Sequence, residues 1–311
     1  MMSARFLTVV LERAFNMRDG FGREIDYMRI SVIDSCNLNC YYCNPCDNNE
    51  HCHALNILSV KEVLCIVRAA TRLGIKHFRL TGGEPLLHPQ LDEMVLQIKK
   101  IPGVSSVSLT TNAVLLVQHA KWLKEAGIDS INVSLDTIDA SEYERITKKP
   151  LLEEVKHGIN AAIECGIRVK INVVLTPQTD VVALTRYVAK KGTDIRFIEM
   201  MPVGEGHTNG VEPYKKVIGT LSKLYGEPCR INTEKTKEIN SGNDKRKIPD
   251  NGPAEYYIFP ELGIRVGLIQ AIHGKFCDTC NRIRVTADGR LMPCLGSLSL
   301  IHISEPTRRT P

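Results

Sequence analysis

The chemistry in this chain concentrates first in Cys36-Asn-Leu-Asn-Cys40-Tyr-Tyr-Cys43, three thiols directly after an apolar run, Met28–Ile33. Three donors this close can close on one metal centre, yet a structural zinc takes four ligands and leaves no vacancy. A cubic [4Fe–4S] cluster has four irons, so three cysteinates leave one iron free to bind a small molecule and pass it an electron. Cys46, His51, Cys52 and His53 follow closely and could complete a zinc site instead. A second group, Cys277-Asp-Thr-Cys280 with Cys294, again offers three thiols, with Arg282 and Arg284 between them. A zinc ribbon there would need a fourth ligand, for which His273 is the nearest candidate.

These groups need a frame. Apolar, β-branched runs recur at Met28–Ile33, His77–Leu80, Val104–Leu109, Ser130–Leu135, Arg168–Leu175 and Ile195–Met200. Helix-period stretches separate them: Ser59–Leu73, Pro89–Lys100, Gln118–Ala126, Leu151–Cys165 and Val181–Lys190. Gly74, Gly127 and Gly166 stand where three of these helices should stop. Buried strands alternating with amphipathic helices predict a parallel sheet with right-handed crossovers. Six units are too few for a closed eight-stranded barrel. Working residues in such sheets sit past the carboxyl ends of strands, so one rim should collect the first cysteines, Thr81–Pro85, Thr110–Asn112, Ser134 with Asp136, and Met200–Pro202. Gly82 and Gly83 permit positive φ and let a ligand approach bare backbone, with Pro85 fixing the exit. Asp288-Gly289 predicts a hairpin turn before Cys294.

Composition narrows the classes. No run of 18 apolar residues predicts a membrane span, and Met1–Asn16 lacks a leader's cleavage pattern. The net charge of +5 suits an anionic small molecule at least as well as nucleic acid. Seven Phe, nine Tyr and one Trp, without a basic stripe, do not make an RNA-stacking surface, so neither nucleic acid nor membrane is an expected partner. Clustered rather than scattered cysteines indicate metal binding and a reducing compartment, cytoplasmic or, in a eukaryote, mitochondrial. Arg29, Arg79 and Lys170 fall within strand runs, where a buried charge without a ligand is costly.

The C-x3-C-x2-C triplet, with an aromatic before its last cysteine, resembles the signature of the radical S-adenosylmethionine (SAM) enzymes. With Gly82-Gly83-Glu84-Pro85 and the late Cys277-x2-Cys280-x13-Cys294 set, the chain from about Gly20 to Leu295 resembles the GTP 3′,8-cyclase family of molybdenum cofactor biosynthesis. That resemblance implies an α/β fold, an open six-unit βα partial TIM-type barrel with a C-terminal iron–sulfur extension. It implies two [4Fe–4S] clusters and SAM as cofactors: Cys36, Cys40 and Cys43 holding the SAM-side cluster, and Cys277, Cys280 and Cys294 the GTP-side one. Tyr42, Gly82, Gly83, Glu84, Ser134 and Met201 would contact SAM; Arg29, Arg79, Thr110, Lys170, Arg282 and Arg284 would contact GTP. The two clusters are expected to face each other across the barrel mouth. The implied partners are GTP, an external one-electron reductant, a downstream cyclic pyranopterin synthase and a second copy in a homodimer.

Asn44, Ala113 and Ser35 depart from the family's pattern, Ala113 standing where a glycine is usual. Cys65 and Cys165 sit on apolar helix faces and read as core fillers. The expected organisation is an N-terminal extension (1–25), a radical SAM core (26–230), a GTP-side iron–sulfur region (231–297) and a non-native tail (298–311), the last because it resembles a read-through sequencing adapter. The family's end, with a terminal Gly-Gly that assists catalysis, is not in this sequence, so the truncated chain is expected to be inactive even with both clusters in place, and activity is expected once that end is restored. Two other functions fit parts of the pattern. One is a peptide-modifying radical SAM enzyme with an auxiliary cluster, the other a non-catalytic metal-binding protein.

Overall fold

The computed structural model describes residues 17–43, 56–201, 211–231 and 252–294. Six strands form its centre: β1 (Tyr27–Ser31), β2 (His77–Thr81), β3 (Ser106–Thr111), β4 (Ser130–Ser134), β5 (Val169–Leu175) and β6 (Asp194–Glu199). They pair in sequence order, all parallel. The connecting helices are α1 (Val60–Arg72), α2 (Leu91–Lys99), α3 (Leu116–Glu125), α4 (Ala140–Thr147), α5 (Leu152–Glu164) and α6 (Val181–Lys190). A later helix, α7 (Gly219–Tyr225), precedes β7 (Cys229–Ile231), β8 (Glu255–Ile258), β9 (Arg265–Ile269), β10 (Arg282–Val285) and β11 (Leu291–Met292).

The sheet runs β11-β10-β1-β2-β3-β4-β5-β6-β9-β8-β7, so β1 and β6 do not meet and the barrel stays open. Each free edge takes a late parallel strand, β10 on β1 and β9 on β6. Open edges invite stray pairing, and these additions move the edges out to short antiparallel strands.

Period-two alternation sorts the side chains. Ile30, Phe78, Leu80, Leu109, Ile131, Val133, Ile171, Val173 and Phe197 are fully buried in the main core. Each such side chain contributes about 1.5–3 kcal/mol of burial. The alternate positions, including Arg29, Arg79, Asn172 and Arg196, face the barrel interior.

Helix ends follow local chemistry. Ser59 and Glu62 close a reciprocal capping box on α1. Gly74, Gly127 and Gly166 take φ of 91°, 87° and 69° after α1, α3 and α5, as their stop role requires. The short α4 was not expected; its signal is Asp139, whose side chain accepts from the Glu142 amide at 2.8 Å. The predicted hairpin forms with Gly289 at φ 82° and β11 antiparallel to β10. Among the described residues no helix is long and apolar enough to cross a membrane. Cys46, His51, Cys52 and His53, and residues 295–311 with the adapter-like tail, lie outside the described residues.

Candidate active site

The barrel interior holds a cavity of about 220 Å³, walled by Tyr27, Arg29, Arg79, Thr81, Thr110, Ser134, Asp136, Asn172, Arg196, Arg282 and Arg284 with a few apolar neighbours. Strand register makes its charge. Arg284 stands opposite Arg29, and Arg29 opposite Arg79, so three arginines lie abreast on β10, β1 and β2. Neighbouring strands are about 4.8 Å apart. Burial pushes the Arg29 pKa well down, and the Arg79, Arg284 and Arg282 charges push it the same way. The Arg284 pKa is lowered by burial first and by Arg282 next. The Nε atoms of Arg29 and Arg282 are buried without a hydrogen-bond partner among the described residues, and so is the Asn172 Oδ1 acceptor. Arg79 is steadied by Ser108, at 3.2 Å, and lies over the Tyr27 ring. Five arginines against one lining carboxylate, Asp136, make a receptor for a polyanion.

Asp136 sits at the other side of this cavity. It accepts hydrogen bonds from the Tyr42 hydroxyl and from the Val174 amide at 2.7 Å. Burial raises its pKa to about 6 despite both bonds. Tyr42 lies between Cys40 and Cys43, so the first cysteine loop is tied to the end of β4. Asp136 was noted beside Ser134 in the sequence, yet nothing local marked it as the loop's anchor; the contact spans 94 positions.

The first cysteine loop is stapled from two further sides. Asn39 and Tyr41 donate to the Thr147 and Ile146 carbonyls at 3.0 and 3.1 Å, at the end of α4. Gly83 and Glu84 donate to the Ile33 and Ser35 carbonyls, both at 2.8 Å. A Cβ on Gly82 would stand 2.3 Å from the Ile33 carbonyl oxygen, and one on Gly83 2.2 Å from that of Ser35. Neither glycine has a positive φ, so the conformational freedom they permit is not used here. They are small because two loops cross there. Glu84 is also turned away from solvent, only 1% exposed. Its carboxylate accepts from the Leu86 amide at 3.0 Å, the Thr111 hydroxyl at 2.7 Å and the Asn112 amide at 2.7 Å. Burial pushes its pKa up to about 7 against these bonds. Glu84 therefore positions the loops around it.

The donor sets suit a soft metal centre. Cys36, Cys40 and Cys43 are free thiols within electrostatic reach of one another. Burial raises all three pKa values, Cys40 to about 12, so thiolates here need an arriving cation. Cys277 and Cys280 share a 3₁₀ turn, where the Cys280 amide donates to the Cys277 carbonyl at 3.2 Å. The β11 register, Met292 opposite Arg284, returns Cys294 toward Arg282 and Cys280. Among the described residues no three His, Cys, Asp or Glu side chains already stand at metal-holding distance, so the fit is one of donor chemistry and placement.

The placement differs from the expected shared rim. Because β10 is parallel to β1, the residues before it lie beside Tyr27, at the amino end of the barrel. Cys36–Cys43 lie past the carboxyl end of β1. The cavity thus runs along the barrel axis, with Asp136 toward one thiol group and Arg282 and Arg284 toward the other. Lys170 is buried on β5, in register with Asn132 and Asp194, and does not line the cavity. Thr110 and Ser134 do, while Met201 lies just beyond β6, outside the lining. Arg196, Asn172 and Tyr27, which sequence reasoning did not select, complete the wall; Tyr27 is two residues from Arg29 on β1, whereas Asn172 and Arg196 join through cross-strand register with Ser134, which no local spacing signals.

Residues 30–184 match the radical SAM superfamily, and residues 193–311 match the family described as Molybdenum Cofactor Synthesis C. The chain is 37% identical over 282 residues to a GTP 3′,8-cyclase of Clostridium perfringens (strain SM101 / Type A), covering 90% of this chain and 83% of that relative. It is 38% identical over 299 residues to a GTP 3′,8-cyclase of Pelotomaculum thermopropionicum, covering 94% and 88%. Among solved structures it resembles Streptococcus suis SuiB, with a TM-score of 0.62 at 14% identity over 90% of this chain and 62% of that one. It also resembles methylornithine synthase, with a TM-score of 0.52 at 17% identity over 73% and 71%. At such identities the structural likeness is one of fold alone. Sequence kinship of this extent, on a barrel with this thiol and arginine arrangement, means that the chain belongs to the GTP 3′,8-cyclase family of the radical SAM superfamily.

Proposed function

We propose that this chain is a lyase-class cyclase that converts GTP to 3′,8-cyclo-7,8-dihydro-GTP, the first step of molybdenum cofactor biosynthesis. The observation that carries the reading is the in-register row Arg284–Arg29–Arg79, with the orphaned Nε atoms of Arg29 and Arg282 in the same cavity. Buried like charges are costly alone and become favourable once a triphosphate arrives.

As a radical SAM enzyme the chain uses a [4Fe–4S] cluster and SAM. Cys36, Cys40 and Cys43 hold that cluster, and when bound it supplies the one-electron cleavage of SAM that yields a hydrogen-abstracting 5′-deoxyadenosyl radical. Tyr42, Gly82, Gly83, Ser134 and Met201 form the SAM side, with Glu84 and Asp136 fixing the loops that carry it. Arg29, Arg79, Arg282, Arg284 and Thr110 hold the triphosphate; Lys170, buried on β5 outside the lining, is not among them. Cys277, Cys280 and Cys294 would hold a second [4Fe–4S] centre, which would supply a binding position for the guanine beside Arg282 and Arg284. The cavity walls would exclude water around the ribose while the 5′-deoxyadenosyl radical takes the hydrogen atom from C3′ and C3′ adds to C8 of the purine, with one electron from the external reductant and a proton at N7 completing the 7,8-dihydro product.

The test is anaerobic reconstitution of the chain with the family's C-terminal end restored, followed by an assay of SAM cleavage with and without GTP. About eight irons per chain, as two cubanes require, and GTP-dependent cleavage are expected. Zinc without iron, or cleavage indifferent to GTP, overturns the proposal.

A further inference from the structure

The turn ahead of β1 touches the second thiol group without touching the cavity. Asp19 fixes that turn: its Oδ1 accepts the Phe21 and Arg23 amides, both at 2.9 Å. Its Oδ2 accepts Arg23 Nε at 2.6 Å and pairs with Nη2 at 2.5 Å. The remaining guanidinium nitrogen, Nη1, donates to the Cys277 carbonyl at 2.5 Å, across 254 positions of sequence. A second tie lies alongside, where Asn281 Nδ2 donates to Asp26 Oδ1 at 2.6 Å and the Tyr27 amide donates to the Asn281 carbonyl at 3.2 Å. Neither Asp19 nor Arg23 lines the cavity, so neither is placed to bind substrate. Arg23 nevertheless feels the Cys277 and Cys280 sulfurs, whose charges raise its pKa after the larger effect of Asp19.

We propose that Arg23 and Asp19 are opposed electrostatic controls on the centre held by Cys277, Cys280 and Cys294, Arg23 raising its reduction potential and Asp19 lowering it. This rests on the proposed second iron–sulfur centre at those thiols. Adding an electron to such a centre makes it more negative, so a nearby cation and a hydrogen bond at a ligand's backbone favour the reduced state, and a nearby carboxylate opposes it. The ion pair lets the turn hold the cysteine loop while cancelling most of its own field.

The experiment uses the full chain, anaerobically reconstituted with a Cys40→Ser background so that only the second centre is read. Iron content and an EPR-monitored redox titration are compared across variants. Arg23→Gln is expected to shift the potential down, Asp19→Asn to shift it up, and the double variant to return near the parent. Arg23→Lys, which keeps the charge without the forked geometry, is expected to stay closer to the parent than Arg23→Gln and serves if the glutamine variant loses iron. Equal potentials, or shifts of the same sign, in proteins of full iron content overturn the control. A parent that carries no cluster at all overturns the second-centre reading beneath it, a different and separately visible failure.

Discussion

The two thiol groups present the same number of donors in opposite electrical settings. Burial is the main influence on Cys36, Cys40 and Cys43, and carboxylates act in the same direction, Glu84 on Cys36 and Asp136 on Cys40 and Cys43. Cys277, Cys280 and Cys294 lie among guanidiniums, with Arg23 acting beside Cys277 and Cys280, and Arg284 beside Cys280 and Cys294. SAM carries a sulfonium and an ammonium, whereas GTP carries three to four negative charges. Each end of the barrel is therefore charged against the ligand proposed for it.

The largest expected effect breaks the first end. Gly83→Ala drives a Cβ into the Ser35 carbonyl, 2.2 Å away. Backbone on both sides leaves little room to relax, so complete loss of SAM cleavage is expected, with the second centre's iron retained. Next, Arg29→Gln removes the middle of the arginine row. Truncating a buried charge contact costs about 2–5 kcal/mol in binding, so KM for GTP should rise at least about 30-fold. The same variant should melt higher than the parent without ligand, because it relieves like-charge crowding. A lower melting temperature would count against the row's being strained by its own charge.

Glu84→Gln probes pH. Burial raises the Glu84 pKa from 4.5 to about 7, so the folded state holds the proton more tightly than the unfolded one. That stabilisation is full below about pH 4.5 and is lost as pH rises through about 7. Subtracting the glutamine variant's denaturation free energy from the parent's at each pH should leave a difference that falls across this window. A flat difference removes the buried-carboxylate account. The smallest effect belongs to Ala113, a buried residue held at φ 65°. Left-handed strain of about 1–2 kcal/mol outweighs the burial of one methyl, about 0.8 kcal/mol. Ala113→Gly should then gain under about 1 kcal/mol in chemical denaturation. The paired Gly158→Ala should lose far more, since its Cβ would meet the Ala113 carbonyl oxygen at 2.3 Å.

The difference in legibility between the two ends is instructive. The βα units from Met28 to Met200 were readable because helix stops, caps and apolar periods are local signals, and five of the six central helices were expected on that basis. The missed α4 has only eight residues and one capping aspartate to announce it. At the first end, the crossing of Gly82 and Gly83 under Ile33–Ser35 could be sensed as a glycine requirement, but its cause lay about fifty positions away. The second end was further from reach. Which free edge β10 would join, and hence which end of the barrel Cys277 and Cys280 would occupy, depends on pairing across 255 positions. Asp136 escaped for the same reason, being an ordinary aspartate until Tyr42 meets it.

The lateral docking of β10 on β1 also sets an order of events during synthesis. At about 5–20 residues per second on the ribosome, β1 emerges roughly 10–50 s before the strand that covers it, since their partners are 255 positions apart. Through that interval its outer hydrogen-bonding edge is bare, and a nascent chain with such an edge is prone to pair with another copy. The barrel is thus covered on that side by a strand that emerges after all six central strands.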